Sequence, residues 1–368
     1  MIKPHIAVLI IAAGYSSRMH DFKPLLPLGE TNALVRLIQT YQAHGIADIY
    51  VVVGHRQDLI VEVLRGYRVH IVYNEAYDKG MFSSIQKGLT ALDETTEAFY
   101  MQPVDIPLIK VQTLERLYEA YSHQHKGVIY PTFLGRKGHP PLIDGKYKEQ
   151  ILASEGEGGL KKVLEAFNAD ALHVNVCDQS VLMDMDTPQD YQTLVSYEVL
   201  NAPTPKECLA IMVDNEVPER IIKHCEAVEK MASTLYMQIA SFGLNIDPHR
   251  LRAAALLHDI ARQEKRHASV GASRLKAMGY ESIGDIIATH MDIDVELHSP
   301  LTAAELLFLA DKLVGDDEVC GYEKRFTKAF QKCEGNLEAQ SNITKRLNAV
   351  KTIIAKIENL TCKAFLND

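Results

Sequence analysis

The hydrophobic pattern of this chain changes its period once, near residue 200, and that change limits the possible folds more than any other feature. Up to about residue 197, short β-branched runs alternate with amphipathic segments. IAVLII, DIYVVVG, VHIVY, EAFYMQPV, KGVIYPTF and DALHVNV read as strands, and TNALVRLIQTYQAHG, RQDLIVEVLRG, MFSSIQKGLTAL and VQTLERLYEAYSHQ as helices. A βαβ series of this kind predicts a parallel, doubly wound α/β sheet of the Rossmann-like type, because parallel strands need helical crossovers. Ligands of such sheets bind outside the carboxyl ends of the strands. After residue 200 every apolar segment has a helical period, which predicts an all-α bundle. Asn201 to Lys206, NAPTPK, reads as the linker, so domains are expected at 1–200 and 201–368. Asp247 with Pro248 reads as a helix start, and Gly243 and Gly279 as helix ends.

Two domains of roughly 150 residues or more fit the 368-residue length. A net charge of −9 speaks against the bulk positive field of a nucleic-acid binder. The apolar run Ile6 to Ala13 is about a third of the roughly 20 residues that a membrane span needs, so a cytoplasmic protein is expected. Six cysteines are scattered with no CxxC pair, and reduced thiols are expected.

The first strand runs directly into Ala12-Ala13-Gly14-Tyr15-Ser16-Ser17-Arg18-Met19-His20, followed by Lys23-Pro24. A small-residue turn after a strand offers backbone N–H groups to an anion, and Arg18 and Lys23 can neutralise phosphate. The alternative is a tight turn at Gly14 with both cations solvated. The loop is neither GxGxxG nor a P-loop, which disfavours dinucleotide cofactors and Walker-type ATPases. Residues 9–29, LIIAAGYSSRMHDFKPLLPLG, resemble the signature loop of the nucleotidyltransferases related to the molybdenum-cofactor cytidylyl- and guanylyltransferases. The resemblance continues through VVVGHR (51–56), NEAYDKGMFSSIQKGL (74–89), PVDIP (103–107), YPTFLGRKGHPPLI (130–143) and MDMDTPQDY (183–191), covering about residues 5–197.

That resemblance implies transfer of a nucleotidyl group from an NTP, with CTP expected, to a phosphorylated acceptor, with molybdopterin expected, and release of pyrophosphate. Ala12, Ala13, Gly14, Ser16, Arg18 and Lys23 would hold the NTP, and Gly80, Ser83 and Ser84 would meet its base and ribose or shape the turn before them. Asp105 and Asp186 would hold Mg²⁺, with Asp184 as the alternative to Asp186. Arg18, Lys23 and Asp105 would carry the chemistry, and Gly138, His139 and Pro140 would face the acceptor. Two departures leave the acceptor open to phosphocholine or a sugar phosphate. His20 stands where the family has glycine. Glu157, Leu160 and Lys161 stand in a segment usually reading Gly-Asp-x-Gly-Ala-Arg, and lysine lacks the arginine fork.

In the second half, His224, His258-Asp259, His267, His290 and Asp311 form a thiolate-free donor set suited to Mn²⁺, Fe²⁺ or Zn²⁺. His258 and Asp259 follow the run AAALL and Asp311 follows ELLFLA, so charge sits beside segments that read as buried, where it needs a partner. The order H…HD…D is similar to the HD-domain metal-dependent phosphohydrolases over about residues 204–330. The resemblance implies metal ligation by His224, His258, Asp259 and Asp311, with His267 and His290 adding a second ion that Asp259 bridges. It also implies phosphate contacts from Arg262 and attack by a metal-activated hydroxide, with Asp259 and Arg262 in catalytic roles. His249, His298 and Lys312 read as structural or surface residues. Asp292 and Asp294 read either as orienting His290 or as a solvated turn. Ile343, Leu347, Val350, Ile354 and Ile357 form a helical stripe that packs on the bundle or joins a homodimer.

The expectation is thus a bifunctional enzyme acting on an NTP and a phosphorylated small molecule, with a molybdoenzyme as recipient of the product and with neither nucleic acid nor membrane as a partner. The alternative makes the helical half a ligand sensor that regulates the transferase.

Overall fold

The computed structural model describes residues 4–19 and 21–365, so His20 lies outside the described residues. The chain forms two compact units that divide between Val199 and Leu200.

The first unit is built on one sheet. Its strands are β1 (Ile6–Ile11), β2 (Asp48–Val53), β3 (His70–Tyr73), β4 (Ala98–Pro103), β5 (Val128–Phe133), β6 (Arg136–Lys137), β7 (Leu142–Asp144) and β8 (Ala171–Asn175). The spatial order is β8-β5-β7-β4-β1-β2-β3, with β6 paired to β5. All six residues of β1 are buried, as expected of a central strand covered on both faces. The helix Met81–Ala91 approaches that strand closely at Gly88, where a Cβ would lie 2.2 Å from Leu9 Cδ1. Helices Ala33–Ala43, Gln57–Val63 and Val111–Gln124 also lie where the pattern places them. The sheet is not parallel throughout: β7 runs antiparallel to both β4 and β5, and β6 antiparallel to β5. A three-residue and a two-residue strand are too short to show a period, which is why the sequence pattern reveals neither.

The second unit is helical: Pro205–Asp214, Glu219–Ile239, Pro248–Leu257, His267–Ala277, Glu281–Ala288, Ala303–Leu313, Tyr322–Lys332 and Leu337–Thr361. Asp247 caps the third helix by accepting from the His249 and Arg250 amides, and Thr204 and Thr302 form capping boxes with Glu207 and Glu305. Three details correct the sequence reading. The helical period of DPHRLRAAALLHDIARQ predicts one helix through Gln263, but the helix ends at Leu257, so His258 and Asp259 lie on the turns that follow. A short antiparallel ribbon joins Val314–Gly315 to Glu318–Val319, although strand signals stop after residue 200. Tyr322–Lys332 is a helix that the pattern did not suggest. Among the described residues, no helix is long and apolar enough to cross a membrane.

The last helix packs on its own bundle through Ile343, Ala349, Val350, Ile353 and Ile357, whereas Leu347 and Ile354 are only partly buried. Lys356 shares that face at 6 % exposure. Its Nζ lies 2.6 Å from Glu305 Oε1 and 3.0 Å from Ser299 Oγ, while Glu305 Oε2 accepts from the Thr302 amide at 2.8 Å. Arg346 reaches both carboxylate oxygens of Asp292 at 2.8 and 3.1 Å; Asp292 is otherwise exposed on a bend, as the solvated-turn reading expects, and pairs with this helix rather than with His290. Replacing Lys356 with methionine leaves Glu305 buried without its cation. The expected destabilisation is about 3–5 kcal/mol, read by urea unfolding, and the double variant Lys356→Met with Glu305→Gln should recover part of it. An unchanged midpoint in the single variant would show that the pair is dispensable.

Candidate active sites

In the first unit, the loop after β1 is tied to β2 by the Ala12 amide on Val52 O at 2.9 Å and the His55 amide on Ala13 O at 3.2 Å. The Ala12 N–H is thereby engaged, so Ala12 can wall a ligand but not donate to it. Ser16 adopts a left-handed conformation (φ 56°), and its Oγ accepts from the Lys23 amide at 3.1 Å. A Cβ at Gly14 would meet nothing within 4 Å. The protein's own packing therefore leaves open space above that position.

Asp105 follows β4, and the Met185 amide bonded to its carbonyl at 2.9 Å lays residues 183–187 beside it. Lys23 Nζ lies 2.7 Å from Asp186 Oδ1 and 3.6 Å from Asp105 Oδ2, and Arg18 Nη1 lies 2.9 Å from Asp186 Oδ2. The four charged residues singled out in the sequence thus meet at the carboxyl ends of β1 and β4. The Lys23 hydrogen bond holds Asp186 below the usual carboxylate range. Burial pushes Asp105 up more than Lys23 pulls it down, and Asp186 and Asp184 push the same way. A partly desolvated carboxylate with acidic neighbours fits a hard divalent cation.

Gly80 has φ 96°, which a side chain would strain. Ser83 and Ser84 are bonded within the turn rather than left free. Asn74 Nδ2 donates to both hydroxyls at 3.0 Å, Asn74 Oδ1 accepts from the Ala76 amide at 3.1 Å, and Ser83 Oγ lies 2.8 Å from the Ala76 and Gly80 carbonyl oxygens. Asn74 escaped the sequence reading, although an asparagine right after a strand is a turn-forming signal. Tyr15 was also missed: at 52 % exposure, its ring packs against His55 at 5.1 Å and Tyr77 at 5.4 Å beside Gly14. Gly138 is needed for packing, since a Cβ there would lie 2.6 Å from Val181 O. His139 precedes a cis bond to the buried Pro140, donates its amide to Val181 O at 2.9 Å, and carries a buried Nδ1 with no partner among the described residues. Burial lowers its pKa, with Asp184 opposing.

In the helical unit, two donor sets converge on Asp259, which is 3 % exposed: His224, His258 and Asp259, and Asp259, His267 and His290. His258 and His290 face Ala255 O at 2.8 Å and Ile287 O at 2.7 Å through Nδ1. Those N–H groups donate to the backbone, which leaves each Nε2 lone pair for the site. His267 and His290 Nε2 lie 3.3 and 3.4 Å from Asp259 Oδ1, and His258 Nε2 lies 3.6 Å from Asp259 Oδ2. Asp311 Oδ1 lies 3.3 Å from His224 Nε2 and 4.0 Å from His258 Nε2. Neither His258 Nε2 nor Asp259 Oδ1 has a well-formed hydrogen bond, so buried donor atoms point inward without partners. Burial pushes His258 down to about 4, so it is a neutral donor at neutral pH. Burial pushes Asp259 up, yet its carboxyl is held below the usual range, with the Arg262 guanidinium 3.6 Å from Oδ1. This donor set fits divalent metal ions.

Lys312, expected to be structural or at the surface, is the former: it is buried, with Nζ 2.5 Å from Asp311 Oδ2 and 3.2 Å from His290 O. Arg325, missed from sequence, reaches Asp311 Oδ1 at 3.2 Å. His249 and His298 are exposed, as expected.

Residues 8–174 match the MobA-like NTP transferase domain, and residues 221–316 match the HD domain. The molybdenum cofactor cytidylyltransferase of Escherichia coli (strain K12) is 25% identical over 189 residues, 51% of this chain and 94% of that protein. The bifunctional protein GlmU of Paraburkholderia phymatum is 27% identical over 163 residues, 43% of this chain but only 36% of that protein. A nucleotidyl transferase structure from Methanothermobacter thermautotroptrophicus aligns over 53% of this chain and 97% of its own, at 21% identity and a TM-score of 0.47. The chain thus carries a MobA-like NTP transferase domain in its first half and an HD domain in its second.

Proposed function

We propose that the first unit transfers a nucleotidyl group from CTP to molybdopterin with release of pyrophosphate, and that the HD unit hydrolyses a phosphate ester or anhydride. The observation that carries the first reading is the meeting of Arg18, Lys23, Asp105 and Asp186 beside the open face of Gly14. Nucleotidyl transfer needs positioning and charge neutralisation rather than a covalent nucleophile. Arg18 and Lys23 would neutralise the triphosphate, and Asp105 and Asp186 would hold Mg²⁺, which supplies charge stabilisation at the reacting phosphate. The likeness to a cytidylyltransferase supports CTP and molybdopterin as the first substrates to test.

For the HD unit, His224, His258, Asp259 and Asp311 would hold one ion, and Asp259, His267 and His290 a second. Bound there, the ions supply an activated hydroxide and polarise a phosphoryl oxygen. Arg262, on the rim of two clefts that meet Asp259, is placed to contact the phosphate.

The transferase reading is tested by assaying pyrophosphate release anaerobically with CTP, GTP and ATP, each with molybdopterin and Mg²⁺. Release with CTP and molybdopterin is the expected result. Release with phosphocholine or a sugar phosphate, and none with molybdopterin, would replace the acceptor while keeping the reaction class.

A further inference from the structure

Around Asp259, three lone pairs face one another with no hydrogen among them to share. His290 uses its Nδ1–H on Ile287 O, so its Nε2 is an acceptor. That atom lies 3.2 Å from His267 Nε2 and 3.4 Å from Asp259 Oδ1. His267 Nε2 is also an acceptor, because Arg262 Nη1 sits 3.1 Å from it and a guanidinium only donates. Arg262 Nη1 is also 3.6 Å from Asp259 Oδ1. Among the described residues, it is the one lysine or arginine paired with either of these atoms.

We propose that Arg262 is a latch on the second ion's position. Its guanidinium and a metal ion compete for the same lone pair of His267 and the same oxygen of Asp259, so the ion binds only as the arginine swings away. This inference rests on the two-ion reading of the HD unit. The arginine has room to leave: its side chain is 44% exposed and borders two clefts, of about 500 and 440 Å³, that both reach Asp259. The smaller cleft carries charge of both signs, Arg220, Lys223 and Arg325 beside Glu219, Asp316 and Asp317, with Lys223 paired to Glu219 at 2.8 Å. A displaced Arg262 would stay on the rim of these clefts with its fork free, where a bidentate contact suits a substrate phosphate. Loading of the second ion and delivery of Arg262 to an anionic substrate then become a single event.

The test titrates MnCl₂ into chelator-treated full-length protein and follows the exchange-coupled signal of paired Mn²⁺ by electron paramagnetic resonance. That signal reports only ions close enough to share a ligand, so a lone ion at Asp105 and Asp186 does not enter it. Removing the competing positive charge in Arg262→Gln should lower the half-saturating Mn²⁺ concentration by about tenfold. Arg262→Lys, which keeps a cation, should stay nearer to wild type. An unchanged or higher half-saturation in Arg262→Gln, with pairs formed in both proteins, would overturn the latch and leave the two-ion centre standing. No coupled pair in either protein would overturn both.

Discussion

Asp259→Asn is expected to weaken both ions of the HD unit and to lower its hydrolytic rate by about a thousandfold or more, the several kcal/mol that metal-borne charge stabilisation supplies. The carboxylate is the one residue common to both donor sets, with Oδ1 facing His267 and His290 and Oδ2 facing His258. Asparagine keeps the volume, and the Arg262 amide still finds the residue 259 carbonyl at 2.9 Å, so the turn after Leu257 should survive. His258→Ala and His267→Ala each remove a donor from one set only. Their losses should not sum to that of Asp259→Asn, because ligands of a shared centre act as a unit. The measurements are metal content by mass spectrometry and turnover of p-nitrophenyl phosphate and bis(p-nitrophenyl) phosphate with Mn²⁺. Wild-type metal content and turnover in Asp259→Asn would remove Asp259 from the centre and with it the hydrolytic reading. Loss of metal in Asp259→Asn, with wild-type protein loading ions yet turning over neither probe, would favour a sensor role.

Much of this arrangement is legible in the sequence because it depends on local periodicity and on charge placed next to apolar runs. β1 and its alternation with helices follow from period alone, and the inward-facing His258-Asp259 pair follows from two polar residues directly after AAALL. What escaped depends on partners far along the chain. β7 is three residues long and becomes a strand through pairing with both β4 and β5. Lys312 looks like an ordinary basic residue in the last turn of a helix, and only the carboxylate of Asp311 and the His290 carbonyl make its burial tolerable. Lys356 likewise interrupts an apolar stripe, and its partner Glu305 lies 51 residues away. Asn74 was missed for another reason: it acts on its own turn, holding Ser83 and Ser84, and so shapes the segment without offering a charge of its own.

Asp105→Asn is expected to separate the two proposed activities. The change removes one of the acidic groups around Lys23 while leaving the carbonyl that receives the Met185 amide, so residues 183–187 should keep their place. Lys23 then has Asp186 as its remaining anionic partner at 2.7 Å, and the pair becomes more nearly neutral. A site balanced by Arg18 and Lys23 against a single carboxylate has little affinity for a divalent cation, since a hard ion is held by charged oxygens. Pyrophosphate release should therefore fall by about a thousandfold at saturating CTP and molybdopterin, the scale of several kcal/mol of charge stabilisation. Raising Mg²⁺ should recover part of the rate if affinity alone is lost. Hydrolysis by the HD unit should persist in the same preparation, which serves as the control for folding. Full pyrophosphate release in Asp105→Asn would mean that Asp184 and Asp186 hold the ion between them. The exposed Asp184, which contributes to the raised pKa of Asp105, would then become the residue to replace next.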